Sequence, residues 1–212
     1  MTITLVGLSA HGADEIKAFF EIGDGEHRQQ ESFVIATKDC ADLRLSVGNC
    51  TPEMYDAVAY AASLYGARRR GLFLLSYGRC SERALAKKLC AKGIDREIAT
   101  EAAATLAQEG YLDDCADALC EAERAFSKLW GKRRIVAALR EKGYGDEAVK
   151  SALASLEENG ADFKRNCATF LKRKYPELPE DPKEKQKLFA ACSRMGYTAD
   201  EIRGACRLLY RT

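Results

Sequence analysis

The sequence is poor in proline, histidine and tryptophan, with four, two and one of each among 212 residues. Three of the prolines fall between Tyr175 and Pro182, so the rest of the chain meets few obligatory helix breaks. Both histidines, His11 and His27, lie in the N-terminal part, which leaves no Ser/His or Cys/His nucleophile elsewhere. Phosphate-binding, dinucleotide-binding and zinc-protease motifs of the forms GxxxxGK(S/T), GxGxxG and HExxH are missing as well. Nine cysteines are present, but none form a CxxC pair and their number is odd. Scattered thiols without nearby histidine exclude the usual zinc patterns and read as reduced, small apolar residues, so no metal or other cofactor is expected. No apolar run approaches the roughly 20 residues of a membrane span. The opening MTITLVGLSAHGAD lacks the basic start and long apolar stretch of a secretion signal, so a cytoplasmic location is expected. The expectation is a non-enzymatic protein.

What the chain does have is a repeat. With Gly93, Gly143 and Gly196 superposed, the apolar positions of three segments coincide. Leu85, Ile135 and Leu188 stand eight residues before the glycine, and Leu89, Leu139 and Cys192 four before it. Ile94, Tyr144 and Tyr197 follow it directly. Ala99, Val149 and Ile202, then Ala103, Leu153 and Cys206, then Leu106, Leu156 and Leu209 complete the register. Gly110 and Gly160 close the first two copies at a common distance. A fixed period of this kind marks one supersecondary unit used repeatedly, here a helix, a glycine turn and a second helix.

Taken in order, residues 1–50 form a small β-rich element. Ile3, Leu5 and Leu8 give an incomplete alternation; Ala18–Ile22 and Ser32–Thr37 read as strands, with a turn at Gly23-Asp24-Gly25. Thr51-Pro52-Glu53 starts a helix. Residues 51–77 are one kinked or two consecutive linking helices, interrupted at Arg68-Arg69-Arg70. Repeat 1 spans 78–128 as three helices, with Asp95 capping the second and Asp113-Asp114 opening the third. That acidic pair suits a helix cap far better than a catalytic dyad. Repeat 2 spans 129–178, again with three helices. Repeat 3 spans 179–212 and has two, with a capping box at Thr198 and Glu201. The predicted fold class is mainly α, tandem three-helix repeats of helix-turn-helix type behind a small antiparallel β element.

Charge is balanced overall but unevenly placed. Residues 1–70 carry seven basic and ten acidic side chains; residues 124–150 carry eight basic and three acidic; Phe163–Lys174 has five basic and none acidic. The candidate binding residues are Lys132, Arg133, Arg134, Arg140 and Lys142, with Lys172, Arg173 and Lys174, and more weakly Lys87 and Lys88. The bland alternative for any charge run is a solvated helix face. Against it, Lys132-Arg133-Arg134 open a helix, where cations oppose the helix dipole. Trp130 reads as packing between repeats, or as an interface anchor. The helix pairs also admit a helix-turn-helix DNA-binding reading, but Asp146–Glu158 offers no row of Arg, Asn and Gln for base edges.

Tyr77-Gly78-Arg79-Cys80-Ser81-Glu82-Arg83-Ala84-Leu85, Gly110-Tyr111-Leu112-Asp113-Asp114, Lys132-Arg133-Arg134-Ile135 through Gly143, and Gly196-Tyr197 after Arg173-Lys174-Tyr175 together resemble the RecX family. The resemblance covers about residues 65–212. It departs from the family at Cys115-Ala116-Asp117-Ala118, which lacks an aromatic, and at Ala138, where the family often has Glu. The resemblance implies a curved helical array lying in the groove of the RecA–single-strand-DNA filament. It implies a monomer that inhibits RecA strand exchange and ATP hydrolysis in DNA repair, recombination and the SOS response. Weak, sequence-blind DNA contact is included; a membrane or a small-molecule substrate is not. The rival expectation is a helix-turn-helix DNA-binding protein acting without RecA.

Overall fold

The structure, a computed structural model, describes residues 2–23 and 27–210. The β-rich stretches form three long strands, β1 (Thr2–Ala10), β2 (Glu15–Gly23) and β3 (Arg28–Ala36). Asp24 and Gly25 of the expected turn lie outside the described residues. A short β4 (Gly48–Cys50) pairs with β1, giving an antiparallel sheet in the order β3-β2-β1-β4. A bulge between Leu5 and Gly7 explains the broken alternation. The extra residue turns Val6 outward and shifts the phase before Leu8. Helix α1 (Thr37–Asp42) and β4 add to the expected meander; at six and three residues they are too short to register as periodicity.

Helix α2 (Pro52–Ser76) starts as expected, with the Thr51 hydroxyl accepting from the Met54 amide at 3.3 Å. It runs unbroken through the three arginines. Arg69 pairs with Glu15 at 3.1 Å, Tyr65 donates to the same carboxylate at 2.8 Å, and Arg68 pairs with Glu109, so the charges tie α2 to its neighbours. Val58 and Tyr55 close a core with Ile3, Leu5, Ala18, Phe20, Ile22 and Ile35 of the sheet. Helices α3 (Glu82–Cys90) and α4 (Arg96–Gln108) follow, and α2 packs on α4. The approach is close: a Cβ on Gly71 would lie 2.6 Å from Leu106 Cδ1.

The chain divides into two compact units. One holds residues 1–78 and 85–111; the other holds 79–84 and 112–212. The second contains α5 (Asp114–Ser127), α6 (Lys132–Glu141), α7 (Asp146–Glu158), α8 (Phe163–Lys174), α9 (Pro182–Arg194) and α10 (Ala199–Tyr210). Within it α5 packs on α7 and α8 on α10. The fold is mainly helical, with tandem three-helix repeats behind a small sheet.

The repeat positions are the core. Fifteen of the eighteen aligned apolar residues are buried, and Ile94, Cys206 and Leu209 are half-buried, which assigns the period to packing. Each fully buried Leu or Ile contributes roughly 1.5–3 kcal/mol over its exposed state. The anchor glycines hold φ of 84°, 92° and 93°. At each, the following amide bonds back to the carbonyl five residues earlier: Ile94 to Leu89, Tyr144 to Leu139, Tyr197 to Cys192. This is the left-handed helix stop that glycine adopts without a Cβ clash. Asp95 caps α4 at the Glu97 amide (2.7 Å), and Thr198 and Glu201 form the capping box of α10. Asp113 caps α5 at Ala116, whereas Asp114 accepts from the Glu82 amide at 3.0 Å and so caps α3.

Candidate functional site

Helix α6 begins at Gly131 with no side-chain cap. Its free amides are met instead by carbonyls ending α9: Gly131 N donates to Met195 O at 2.7 Å and Arg133 N to Gly196 O at 3.1 Å. No Cβ fits on either glycine, since one on Gly131 would lie 2.4 Å from the Gly196 carbonyl carbon, and one on Gly196 would lie 2.4 Å from Arg134 N. The end of α9 carries negative partial charge, which offsets the cost of cations at the start of α6. The unfavourable dipole argued from sequence is therefore answered by packing. Arg134 stacks over the Trp130 ring at 3.9 Å, and its Nη1 lies 3.1 Å from Met195 Sδ. Leu129, just before, holds φ 60°, and its carbonyl accepts from the Tyr197 hydroxyl at 2.8 Å. Trp130 thus sits at a junction.

The remaining candidates separate by whether they are already paired. Lys132 binds Glu157 at 2.7 Å, Arg140 reaches Asp146 with two nitrogens at 2.9 and 3.1 Å, and Lys142 pairs with Glu121. That last contact holds the Glu121 carboxyl below its ordinary range. Lys174 lies over the Tyr175 ring at 5.7 Å. The side chains of Arg133, Lys172 and Arg173 are exposed and form no ion pair among the described residues. The same holds for Lys87 and Lys88 on α3, in the first unit. The α6 and α8 groups share the second unit, but among the described residues no hydrogen bond, ion pair or ring contact links them.

Sequence reasoning passed over Arg124, Lys128 and Glu121. With Trp130 and Lys142 they line a cavity of about 230 Å³, together with Ala125 and Ala138 and backed by the buried Ile135 and Leu139. A signal was available in the spacing: Glu121, Arg124 and Lys128 recur at helical intervals along α5 and its C-cap. All nine cysteines are free, and no cluster of His, Cys, Asp and Glu suited to a metal occurs among the described residues. Cys167 and Cys192 lie together in the core of α8–α10, where the neighbouring Cys192 thiol and then burial push the Cys167 thiol up. Among the described residues no helix is long and apolar enough to cross a membrane.

Glycine-anchored helix pairs, each covered by a further helix, and a surface of unengaged cations define a tandem helical-repeat protein. No family model matches the chain. It is 31% identical over 140 residues to the regulatory protein RecX of Xanthomonas axonopodis pv. citri, covering 66% of this chain and 85% of the relative. The values are 32%, 66% and 85% for RecX of Xanthomonas campestris pv. campestris (strain B100), and 31%, 66% and 84% for that of Stenotrophomonas maltophilia (strain R551-3). A crystal structure of a regulatory protein RecX superposes with TM-score 0.69 at 22% identity, covering 95% of this chain and 97% of its own. RecX from Lactobacillus salivarius gives 0.59 at 19%, covering 69% and 96%. These two establish a shared fold. The chain belongs to the RecX family of regulatory proteins.

Proposed function

We propose that the chain is a non-enzymatic, cytoplasmic regulator that binds the RecA–DNA filament as a monomer and inhibits RecA strand exchange and ATP hydrolysis. The observation that carries this reading is family membership across most of the length of the curated relatives. The exposed cations add a physical route. Arg133, Lys172 and Arg173 are unpaired and meet acidic protein surface or filament phosphates through screened attraction. Lys87 and Lys88 are weaker contributors. Arg134, Lys132, Arg140 and Lys142 act mainly within the chain, through the contacts described above.

The test adds the protein to preformed RecA–single-strand-DNA filaments and follows ATP hydrolysis and co-sedimentation. Wild type slows hydrolysis and pellets with the filament, and the triple variant Arg133→Glu, Lys172→Glu, Arg173→Glu pellets less while keeping its helicity. Absence of both association and inhibition at micromolar protein overturns the reading. Tight binding to bare DNA with a steep salt dependence, and no response to RecA, would instead favour the helix-turn-helix alternative.

A further inference from the structure

The cavity between α5 and α6 combines an apolar lining with charged side chains. Its apolar lining comes from Ala125, Ala138 and Trp130, backed by the buried Ile135 and Leu139. Its rim is cationic, from Arg124, Lys128 and Lys142. One carboxylate already occupies that rim. Glu121 sits between Lys142 and Arg124, the latter at 3.2 Å. Lys128 is exposed and has no ion-pair partner among the described residues. The rim therefore shows with its own Glu121 the group it accepts and leaves one cation for another carboxylate. A phosphate backbone fits less well, because the apolar lining gives it nothing to bind.

We infer that this cavity docks an acidic protein segment, with one apolar side chain seated against Trp130, Ala125 and Ala138 and flanking carboxylates directed to Lys128. The apolar side chain supplies burial and the carboxylates supply orientation and encounter rate, the usual division of labour in such contacts. The inference deepens the RecA reading by naming the chemistry a partner must present, and it rests on that reading only for the partner's identity.

The chain has a single tryptophan, and it lines the cavity, so intrinsic fluorescence reports occupancy directly. The probes are a short Asp/Glu peptide with one central Leu and no aromatic residue, the same peptide with Ser for Leu, and an oligo-dT strand, each titrated into the full chain without RecA. The Leu peptide should shift Trp130 emission saturably, with the Ser peptide about tenfold weaker. Lys128→Glu should weaken the Leu peptide by about tenfold, and Lys128→Gln by less, with unchanged helicity in both. No saturable shift, equal binding of the two peptides, or tighter binding of oligo-dT overturns the inference. Because RecA is absent, a failed titration beside intact filament binding removes only this cavity. A successful titration beside failed filament binding supports the cavity and removes only RecA as the partner.

Discussion

Two helix starts in the second unit do the same job by different means. Ser81 and Gly131 both stand twelve residues before their own anchor glycine, and both donate to the carbonyl just before the next anchor. Ser81 does so with its hydroxyl, to Lys142 O at 2.8 Å; Gly131 does so with its backbone amide, to Met195 O at 2.7 Å. At the first joint the Ser81 side chain lies between the backbones and also caps the Ala84 amide at 3.2 Å. At the second the backbones touch, so glycine is required on both sides. A serine spacer tolerates adjustment, because a hydroxyl can rotate. A glycine–glycine contact does not.

The comparison breaks most readily at Gly196. Ala there meets both the left-handed φ of 93° and a Cβ 2.4 Å from Arg134 N. Strain and overpacking together should cost roughly 3 kcal/mol. The melting temperature would then fall by about 6–12 °C. Gly143→Ala carries a similar φ of 92°, but its Cβ meets only Ser81 Oγ, at 2.8 Å. It should cost about 2 kcal/mol. Ser81→Gly should relieve part of that, and a double-mutant cycle by chemical denaturation should show coupling of about 0.5–1 kcal/mol. Equal losses for Gly196→Ala and Gly143→Ala would mean that the joints do not differ as described.

What was readable in the sequence, and why neither joint was, follows from what periodicity records. The aligned apolar residues, the anchor glycines and the caps at Thr51, Asp95 and Thr198 are local, and each was readable from spacing and residue type. A repeat, however, has a period but no phase. Nothing in the sequence says that α5 packs on α7 and α8 on α10, or that α2 packs on α4 in the same way. The binding surface was readable only as a count of cations. Whether a cation is free depends on partners far along the chain: Lys132 meets Glu157, Lys142 meets Glu121, and Arg134 lies against Met195. The cavity was missed because Ile135 and Leu139, which back it, are residues that the repeat assigns to the core.

Tyr197 tests the second joint from its other side. Its hydroxyl bonds Leu129 O at 2.8 Å, next to the Trp130–Arg134 stack. Tyr197→Phe leaves that carbonyl without its donor and should cost about 1–2 kcal/mol. Trp130 emission should shift with it, since Leu129 adjoins Trp130; loss of stability with no spectral change would detach Tyr197 from the stack. Gly93→Ala comes next. Gly93 has φ of 84° but nothing within 4 Å of an added Cβ, so only the backbone term remains, about 1 kcal/mol. Asn in place of Ala should cost less, because it tolerates the left-handed region. A loss at Gly93 as large as that at Gly196 would mean that backbone strain, and not the joint, sets the ranking.

The smallest effect at neutral pH belongs to Tyr144, which occupies in the first joint the place that Tyr197 holds in the second. Its hydroxyl makes no hydrogen bond among the described residues, so Tyr144→Phe should change stability by no more than about 0.5 kcal/mol at neutral pH. The difference should appear in alkali. Burial, followed by the charges of Asp117, Glu121 and Asp114, pushes the Tyr144 hydroxyl up to about 12. In the unfolded chain a tyrosine loses its proton near pH 10. Above that value the unfolded state holds fewer protons than the folded one, so stability is intact below about pH 10 and falls as pH rises towards the folded value. Tyr144→Phe removes this contribution. Denaturant titrations should therefore show a shallower alkaline decline for the variant, with part of the slope kept because Tyr55 and Tyr60 are raised in the same direction. Parallel curves for variant and wild type would show that Tyr144 ionises in the folded protein as freely as in the unfolded one. The first joint would then be open to water in a way that its buried tyrosine contradicts.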